Sequence, residues 1–298
     1  MEQLIEKLQT LGIEWEQNCP LSRHSSFHIG GAADFALFPK SSDELCQALT
    51  FLRAQDVPIL VIGNGSNVVF SDEGYRGVVV FTGKCRKIKI EGDTVYADAG
   101  VSLSALSSAV RDESLSGLEF AFGIPGTLGG AVYMNAGAYG GSMSDVCISS
   151  EYYDLKTGQV FGLFGDEQCF DYRKSIYQEH PEYIILSATL KLKKGKRRQI
   201  TEQMRMYWEK RKNAQPLELP NAGSTFKRPE GHFAGKLIED CGLKGLTVGG
   251  AQVSTKHAGF IVNIGGATCK DVKCLIEQIK ATVLQQTGVE LECEIRFL

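Results

Sequence analysis

Two glycine-rich segments are the places where this chain could meet a ligand with bare backbone. The first, Gly63-Asn64-Gly65-Ser66-Asn67, follows an apolar run that ends at Ile62. Small residues there let several backbone N–H groups converge on one anion, and a diphosphate has suitable charge and size. The same five residues also suit a hairpin, since Asn-Gly is a strong turn former, and the segment alone leaves both readings open. It is not a Rossmann dinucleotide fingerprint, because the third glycine position is Val68 and the residues that follow read as a strand. The second segment, residues 123 to 141, holds seven glycines and no charged side chain in nineteen positions. Glycine costs folding entropy wherever it sits, so this density points to tight turns or to close approach of main chain to a flat or phosphorylated ligand. Its glycines alternate with Ile124, Leu128, Val132, Tyr133 and Met134, which argues for a buried, structured loop rather than a flexible linker.

Side chains able to do acid, base or charge chemistry are less conspicuous. On pattern alone Arg173, in a Tyr-Arg pair, reads as a salt-bridge residue. Glu294 reads as a solvated carboxylate beside Arg296, and His257 as a satisfied structural histidine. No Walker A, H-E-x-x-H, G-x-S-x-G or EF-hand sequence occurs, which removes the commonest hydrolase, zinc and calcium chemistries. Nine cysteines without a C-x-x-C pair signal neither a metal site nor a disulfide framework, and a reducing cytoplasm is the expected compartment. With 32 basic and 35 acidic residues the net charge is -3, so no global field favours nucleic acid or an anionic membrane. Neither a secretory signal nor a transmembrane span is expected.

The elements that must position these segments follow from periodicity. Leu4, Ile5, Leu8 and Leu11 share a helical face, giving an opening helix assigned to residues 1 to 18. Strands are expected at 33–38, 59–62, 68–70, 78–81, 88–90, 95–97, 146–155, 159–164 and 183–192, with helices after Ser42-Asp43-Glu44 and from Leu103 to Arg111. The stretch KLKKGKRR, residues 191 to 198, reads as a solvated linker and a boundary near residue 195. Beyond it, helices are expected near residues 199–212, 234–241 and 271–286. The final strand should turn Leu291, Cys293, Ile295 and Phe297 to one side and Glu292, Glu294 and Arg296 to the other.

Four segments in this order make the chain recognisable: the loop at 63 to 67, the glycine run, Phe170-Asp171-Tyr172-Arg173-Lys174-Ser175-Ile176, and Asn221-Ala222-Gly223-Ser224-Thr225-Phe226-Lys227-Arg228-Pro229. The chain resembles the bacterial UDP-N-acetylenolpyruvoylglucosamine reductases, and the likeness runs from Ser25-Ser26-Phe27-His28-Ile29-Gly30-Gly31 through residues 242–263 to Leu291-Glu292-Cys293-Glu294-Ile295-Arg296. Gln215-Pro216-Leu217 leading into the Ser224 motif is similar to the shorter branch, which lacks an inserted tyrosine loop.

The resemblance implies an α+β protein: a two-lobed FAD-binding domain of the vanillyl-alcohol-oxidase (PCMH) type over residues 19 to 195, then an α+β substrate domain over 196 to 298. It implies non-covalent FAD, with Ile62, Gly63, Asn64, Gly65, Ser66 and Asn67 at the diphosphate. Gly123, Gly126, Thr127, Gly129, Gly130, Ala131, Asn135, Gly137 and Tyr172 would line the rest of the cofactor. NADPH would be the co-substrate and UDP-N-acetylglucosamine enolpyruvate the acceptor. Arg173 would stabilise the enolate, Ser224 would deliver a proton to carbon, and Glu294 would orient the arginine or, if protonated, donate a hydrogen bond to the substrate carboxylate. Apart from the resemblance, a serine acid must be re-supplied, and an ordered water or Lys227 is the candidate for that. Lys227, Arg228, Lys244 and His257 would lie near the substrate nucleotide. A monomer acting in the cytoplasm on peptidoglycan precursors, with no nucleic-acid or membrane partner, completes the expectation. Another flavin oxidoreductase of the superfamily, or a nucleotide-sugar binding protein without turnover, remains the alternative.

Overall fold

The structure is a computed structural model that describes Glu6 and residues 8 to 298. Leu4 and Ile5, half of the proposed opening helical face, lie outside the described residues. Helix is present at residues 8 to 10, but an extended strand, Trp15–Pro20, begins inside the span assigned to that helix. Two compact units emerge, neither continuous in sequence. One comprises Met1–Gln17, Phe35–Asn64 and Gly77–Glu209, and the other Asn18–Asp34, Gly65–Arg76 and Lys210–Leu298.

The first unit has two cores. A five-stranded antiparallel sheet orders its strands Gln159–Phe164, Cys147–Asp154, Tyr183–Lys191, Thr94–Asp98, Ile88–Glu91. Val95, Ala97, Leu190 and Ala188 from this sheet are buried with Leu103, Leu106 and Val110 of helix Leu103–Asp112 and with Leu128 and Val132 of helix Leu128–Tyr133. The glycine run thus contains a short helix whose apolar face is part of the core, as burial of its aliphatic residues requires. In the second core, Leu45, Ala48, Leu49 and Leu52 of helix Ser42–Arg53 pack with Phe35, Leu37, Val78 and Val80. Their i, i+3, i+4, i+7 spacing puts them on one face. Ser41 is the N-cap, its hydroxyl accepting from Glu44 N–H at 3.1 Å.

The basic stretch at 191–198 is not a linker. Lys193–Lys194 pairs antiparallel with Leu115–Ser116, and helix Arg197–Ala214 starts within the run. The charged side chains face solvent as expected, while Lys193–Lys194 lies in a strand and Arg197 and Arg198 open a helix.

The second unit gathers Phe27, Ile29 and Val69 from the early chain around Ala251, Val253, Ile261 and the helices Ala234–Asp240 and Cys269–Thr287. Three short antiparallel strands, Thr247–Val248, Ala251–Val253 and Ile261–Asn263, form its sheet. The long helix buries Val272, Leu275, Ile276, Ile279 and Val283, opens with a Thr268/Asp271 capping box and closes on Gly288 at φ 72°. The closing segment is regular strand only at Arg296–Phe297, parallel to Val68–Val69, although Leu291 and Ile295 are buried as the alternation predicts. The expected α+β class is what the element order shows.

Candidate functional site

Strand Ile59–Ile62 pairs parallel with Tyr75–Phe81, and Val68–Val69 pairs instead with Arg296–Phe297. The segment between them is therefore not a hairpin turn, which removes the plainer of its two readings. Among the described residues, the backbone N–H groups of Asn64, Gly65, Ser66 and Asn67 make no hydrogen bond. Four successive donors without an acceptor are the signature of an anion nest rather than of a satisfied turn. Gly63 and Gly65 admit no side chain: a Cβ would stand 2.3 Å from Thr127 Oγ1 at the first and 2.1 Å from the His24 carbonyl oxygen at the second, where φ is also +60°. Ile62 is buried at the strand end, and Asn64 Nδ2 donates to the Pro125 carbonyl at 3.1 Å. This loop fits the diphosphate of the flavin the resemblance implies.

The glycine run is built differently. Leu128 N–H donates to Val101 O, Gly129 N–H to Ala99 O, both at 2.8 Å, and Gly130 N–H to Thr127 Oγ1 at 3.3 Å. These three amides are consumed by the fold and are not available to an anion. Gly129 has Ala99 against it, while Gly130 is exposed and Gly123 and Gly126 are half-buried. Ala131 is buried, and so is Asn135, whose Nδ2 donates to Asp171 O at 2.9 Å and whose Oδ1 accepts from Ser144 N–H at 2.9 Å. Gly137 lends its carbonyl oxygen to Arg173 Nη2 at 3.2 Å.

Arg173 is thereby tied to the far end of the run. It stands at φ 54°, third in a turn closed by reciprocal backbone bonds between Asp171 and Lys174, each 3.1 Å. Its guanidinium lies 5.0 Å from the centre of the half-exposed Tyr172 ring. All of these groups belong to the first unit.

Ser224 and Glu294 belong to the second. Phe226 bridges Cys293, Lys227 N–H donates to Glu292 O at 2.8 Å, and Glu294 N–H donates to Thr225 O at 2.9 Å. Ser224 precedes this antiparallel contact and is exposed, its hydroxyl without a hydrogen bond among the described residues. Asn221 Oδ1 accepts from Gly223 N–H at 2.9 Å, an Asx turn that holds Gly223 at φ 82° and sets the entry of Ser224. Thr225 is buried, its hydroxyl accepting from Ile261 N–H at 3.1 Å. The sequence reading overlooked Asn221 and Thr225, although an Asn two residues before a Gly is a recognisable turn signal.

The four cationic or imidazole candidates are spread over the second unit. Lys227 is paired with Glu292 and Lys244 with Glu239, the latter at 2.7 Å. The Arg228 guanidinium lies 3.9 Å from the Phe233 ring centre. His257 Nδ1 accepts from Gly259 N–H at 3.1 Å, which leaves Nε2 to carry the proton of the neutral ring. Burial first, and then nearby Lys244, lower its pKa below the ordinary histidine value, which favours the neutral ring.

Comparison with known proteins gives one consistent result. A family model described as "UDP-N-acetylenolpyruvoylglucosamine reductase, C-terminal domain" matches residues 215–298, and one described as "FAD binding domain" matches 33–163. The UDP-N-acetylenolpyruvoylglucosamine reductase of Caldanaerobacter subterraneus is 47% identical over 100% of this chain and 98% of its own. That of Alkaliphilus oremlandii is 49% identical over 94% of this chain and 91% of its own. The crystal structure of the Thermus caldophilus UDP-N-acetylenolpyruvylglucosamine reductase superposes with a TM-score of 0.80 at 35% identity, covering 96% of this chain and 98% of that one.

Proposed function

The chain belongs to the UDP-N-acetylenolpyruvoylglucosamine reductase family, and from that premise we propose that it reduces UDP-N-acetylglucosamine enolpyruvate to UDP-N-acetylmuramate for peptidoglycan synthesis, with Arg173, Ser224 and Glu294 acting on the substrate. NADPH is the reductant, and FAD, held without a covalent bond, supplies when bound the two-electron chemistry that couples NADPH oxidation to reduction of the enolpyruvyl double bond. The reaction takes place in the cytoplasm on a single chain.

The protein's own task is to manage charge. Hydride delivery to the methylene carbon leaves an enolate spread over the α-carbon and carboxylate, and a fixed cation lowers the energy of that state more than that of the neutral double bond. Arg173 carries this role, its guanidinium held through Gly137 and Tyr172. Ser224 Oγ gives its proton to the α-carbon. A serine hydroxyl is a weak acid in water, so it serves only when positioned against a strongly basic carbanion. Glu294, when its carboxyl carries a proton, donates a hydrogen bond to the substrate carboxylate. Lys244 and the Nε2–H of His257 suit the nucleotide diphosphate, with Lys227 and Arg228 in the same neighbourhood. Re-supply of the Ser224 proton is not assigned to Lys227, whose ammonium is engaged by Glu292.

The observation that supports this division most directly is the hydrogen bond from Glu294 N–H to Thr225 O, one residue from Ser224, which sets the two groups on adjacent backbone segments. The test is anaerobic mixing of the flavin-loaded protein with NADPH and then with UDP-N-acetylglucosamine enolpyruvate. Substrate-dependent reoxidation of the flavin is expected, and its absence would overturn the reading.

A further inference from the structure

A left-handed conformation is uncommon outside glycine, asparagine and aspartate, and a long side chain held there stays only where neighbouring groups over-determine it. Arg173, at φ 54°, is such a residue. The reciprocal Asp171 and Lys174 bonds close its turn but touch neither the Arg173 carbonyl nor its side chain. The Arg173 carbonyl is held by Gln178, whose Nε2 donates to it at 2.9 Å. The second N–H of the same amide reaches the Tyr133 carbonyl, also at 2.9 Å. Tyr133 ends helix Leu128–Tyr133, where the last carbonyls lack helical partners, and Ser175 Oγ donates to the same oxygen at 2.7 Å. One half-buried amide therefore ties the carbonyl of the strained arginine to the end of the helix inside the glycine run.

We propose that Gln178 is a positioning residue for the substrate-reducing step: it fixes the backbone of Arg173 relative to the glycine run and so sets where the guanidinium stands. The inference rests on the assignment of Arg173 made above and adds a residue argued to act through Arg173 and the glycine run. Without Gln178 the Tyr133 carbonyl keeps Ser175 and the turn keeps its own two bonds, so the fold survives. What is released is the preference of Arg173 for its left-handed well. Misplacing a charge-stabilising group by about 1 Å costs on the order of a hundredfold in rate.

The variant to make is Gln178→Met, of similar length but without donors, alongside Arg173→Ala and the double variant. Each is isolated with bound flavin, reduced anaerobically with NADPH and reoxidised with the enolpyruvyl substrate in a stopped-flow instrument. Reduction by NADPH should stay within about twofold of the parent while reoxidation slows about ten- to a hundredfold, and the double variant should be no slower than Arg173→Ala alone. Parent-like reoxidation in Gln178→Met, or a double variant slower by the product of the single effects, would overturn the proposal. So would loss of flavin from Gln178→Met, which would make the residue a support of the fold. If Arg173→Ala itself reoxidises like the parent, the assignment of Arg173 falls, and that failure is distinct from a failure of Gln178 alone.

Discussion

Asn67 Nδ2 donates to the carbonyl oxygen of Glu294 at 3.2 Å, and the Asn67 carbonyl accepts from Arg296 N–H at 3.0 Å. The last residue of the anion loop is thus clipped on both sides to the segment that carries the proposed acidic group. Within this unit the backbone of Gly65 to Asn67, proposed to meet the diphosphate, and the backbone that carries Glu294 share one frame. Ser224 joins that frame through the Thr225 carbonyl. No step of this arrangement depends on long flexible side chains, which is how a site is kept within the tolerance that catalysis demands.

If Ser224 supplies the proton, Ser224→Ala separates the two half-reactions. Flavin reduction by NADPH should remain within about twofold of the parent, whereas reoxidation by substrate should slow by about 10²- to 10⁴-fold, the usual worth of a positioned acid. Stopped-flow absorbance of the flavin reads both phases. Equal slowing of the two would assign Ser224 to binding or folding instead.

The contact between Gly63 and Thr127 predicts a suppressor. In Gly63→Ala the new methyl would meet Thr127 Oγ1 at 2.3 Å, and something must shift. That variant should purify with little flavin. Thr127→Ala removes the hydroxyl and the methyl, the nearest remaining neighbour being Thr127 Cβ at 3.3 Å, at the expense of a helix cap worth about 1 kcal/mol. The double variant should regain flavin that Gly63→Ala has lost, measured as the ratio of flavin to protein absorbance. A double variant as empty as the single would show that the loop tolerates no Cβ for another reason.

Most elements were legible because their signals are local. The Leu45, Ala48, Leu49, Leu52 face and the strand runs at 147–154 and 183–191 follow from side-chain periodicity alone. What periodicity does not contain is the partner. Phe27, Ile29 and Val69 are apolar in any reading, yet only the folded chain shows them buried against Ile261 and Val272, far along the sequence. The run at 191–198 was misread as a linker for a related reason: its charges do face water, but its backbone bonds to Leu115–Ser116, and charge pattern says nothing about where main-chain hydrogen bonds go. At the site, residue types identified Arg173, Ser224 and Glu294 only through a family resemblance. The residues that orient them, Asn221 and Gln178, carry no reactive group and so gave no chemical signal.

Asp72 should prove a stability residue with no part in turnover. Its two carboxylate oxygens accept from Cys269 N–H at 2.7 Å and Lys270 N–H at 3.0 Å, the first two amides of helix Cys269–Thr287. Thr268 Oγ1 takes the third, from Asp271, at 3.0 Å, so the helix start is fully satisfied. Asp72→Ala leaves two donors without acceptors and removes a negative charge from the positive end of the helix dipole. The cost should be about 1–2 kcal/mol, or a fall in Tm of roughly 2–8 °C in a protein of this size. Asp72→Asn should recover part of it. Thermal unfolding followed by circular dichroism checks the order, and unchanged melting in Asp72→Ala would refute the cap.

His257 makes stability depend on pH in a defined direction. Burial lowers its pKa in the folded chain below the ordinary histidine value of about 6.5, and Nδ1 can accept the Gly259 N–H only while that nitrogen carries no proton. The unfolded chain therefore binds the proton more readily than the folded one. Its contribution is complete above about pH 6.5 and is lost as pH falls through the lowered value. His257→Asn keeps a side-chain oxygen able to accept from the amide two residues on but has no proton to gain. Between pH 7.5 and 5.0 the Tm of the parent should fall more steeply than that of His257→Asn at constant ionic strength. The two curves should converge toward the acid end. Parallel curves would mean that His257 titrates alike in the folded and unfolded chains, and that its ring is not held by Gly259.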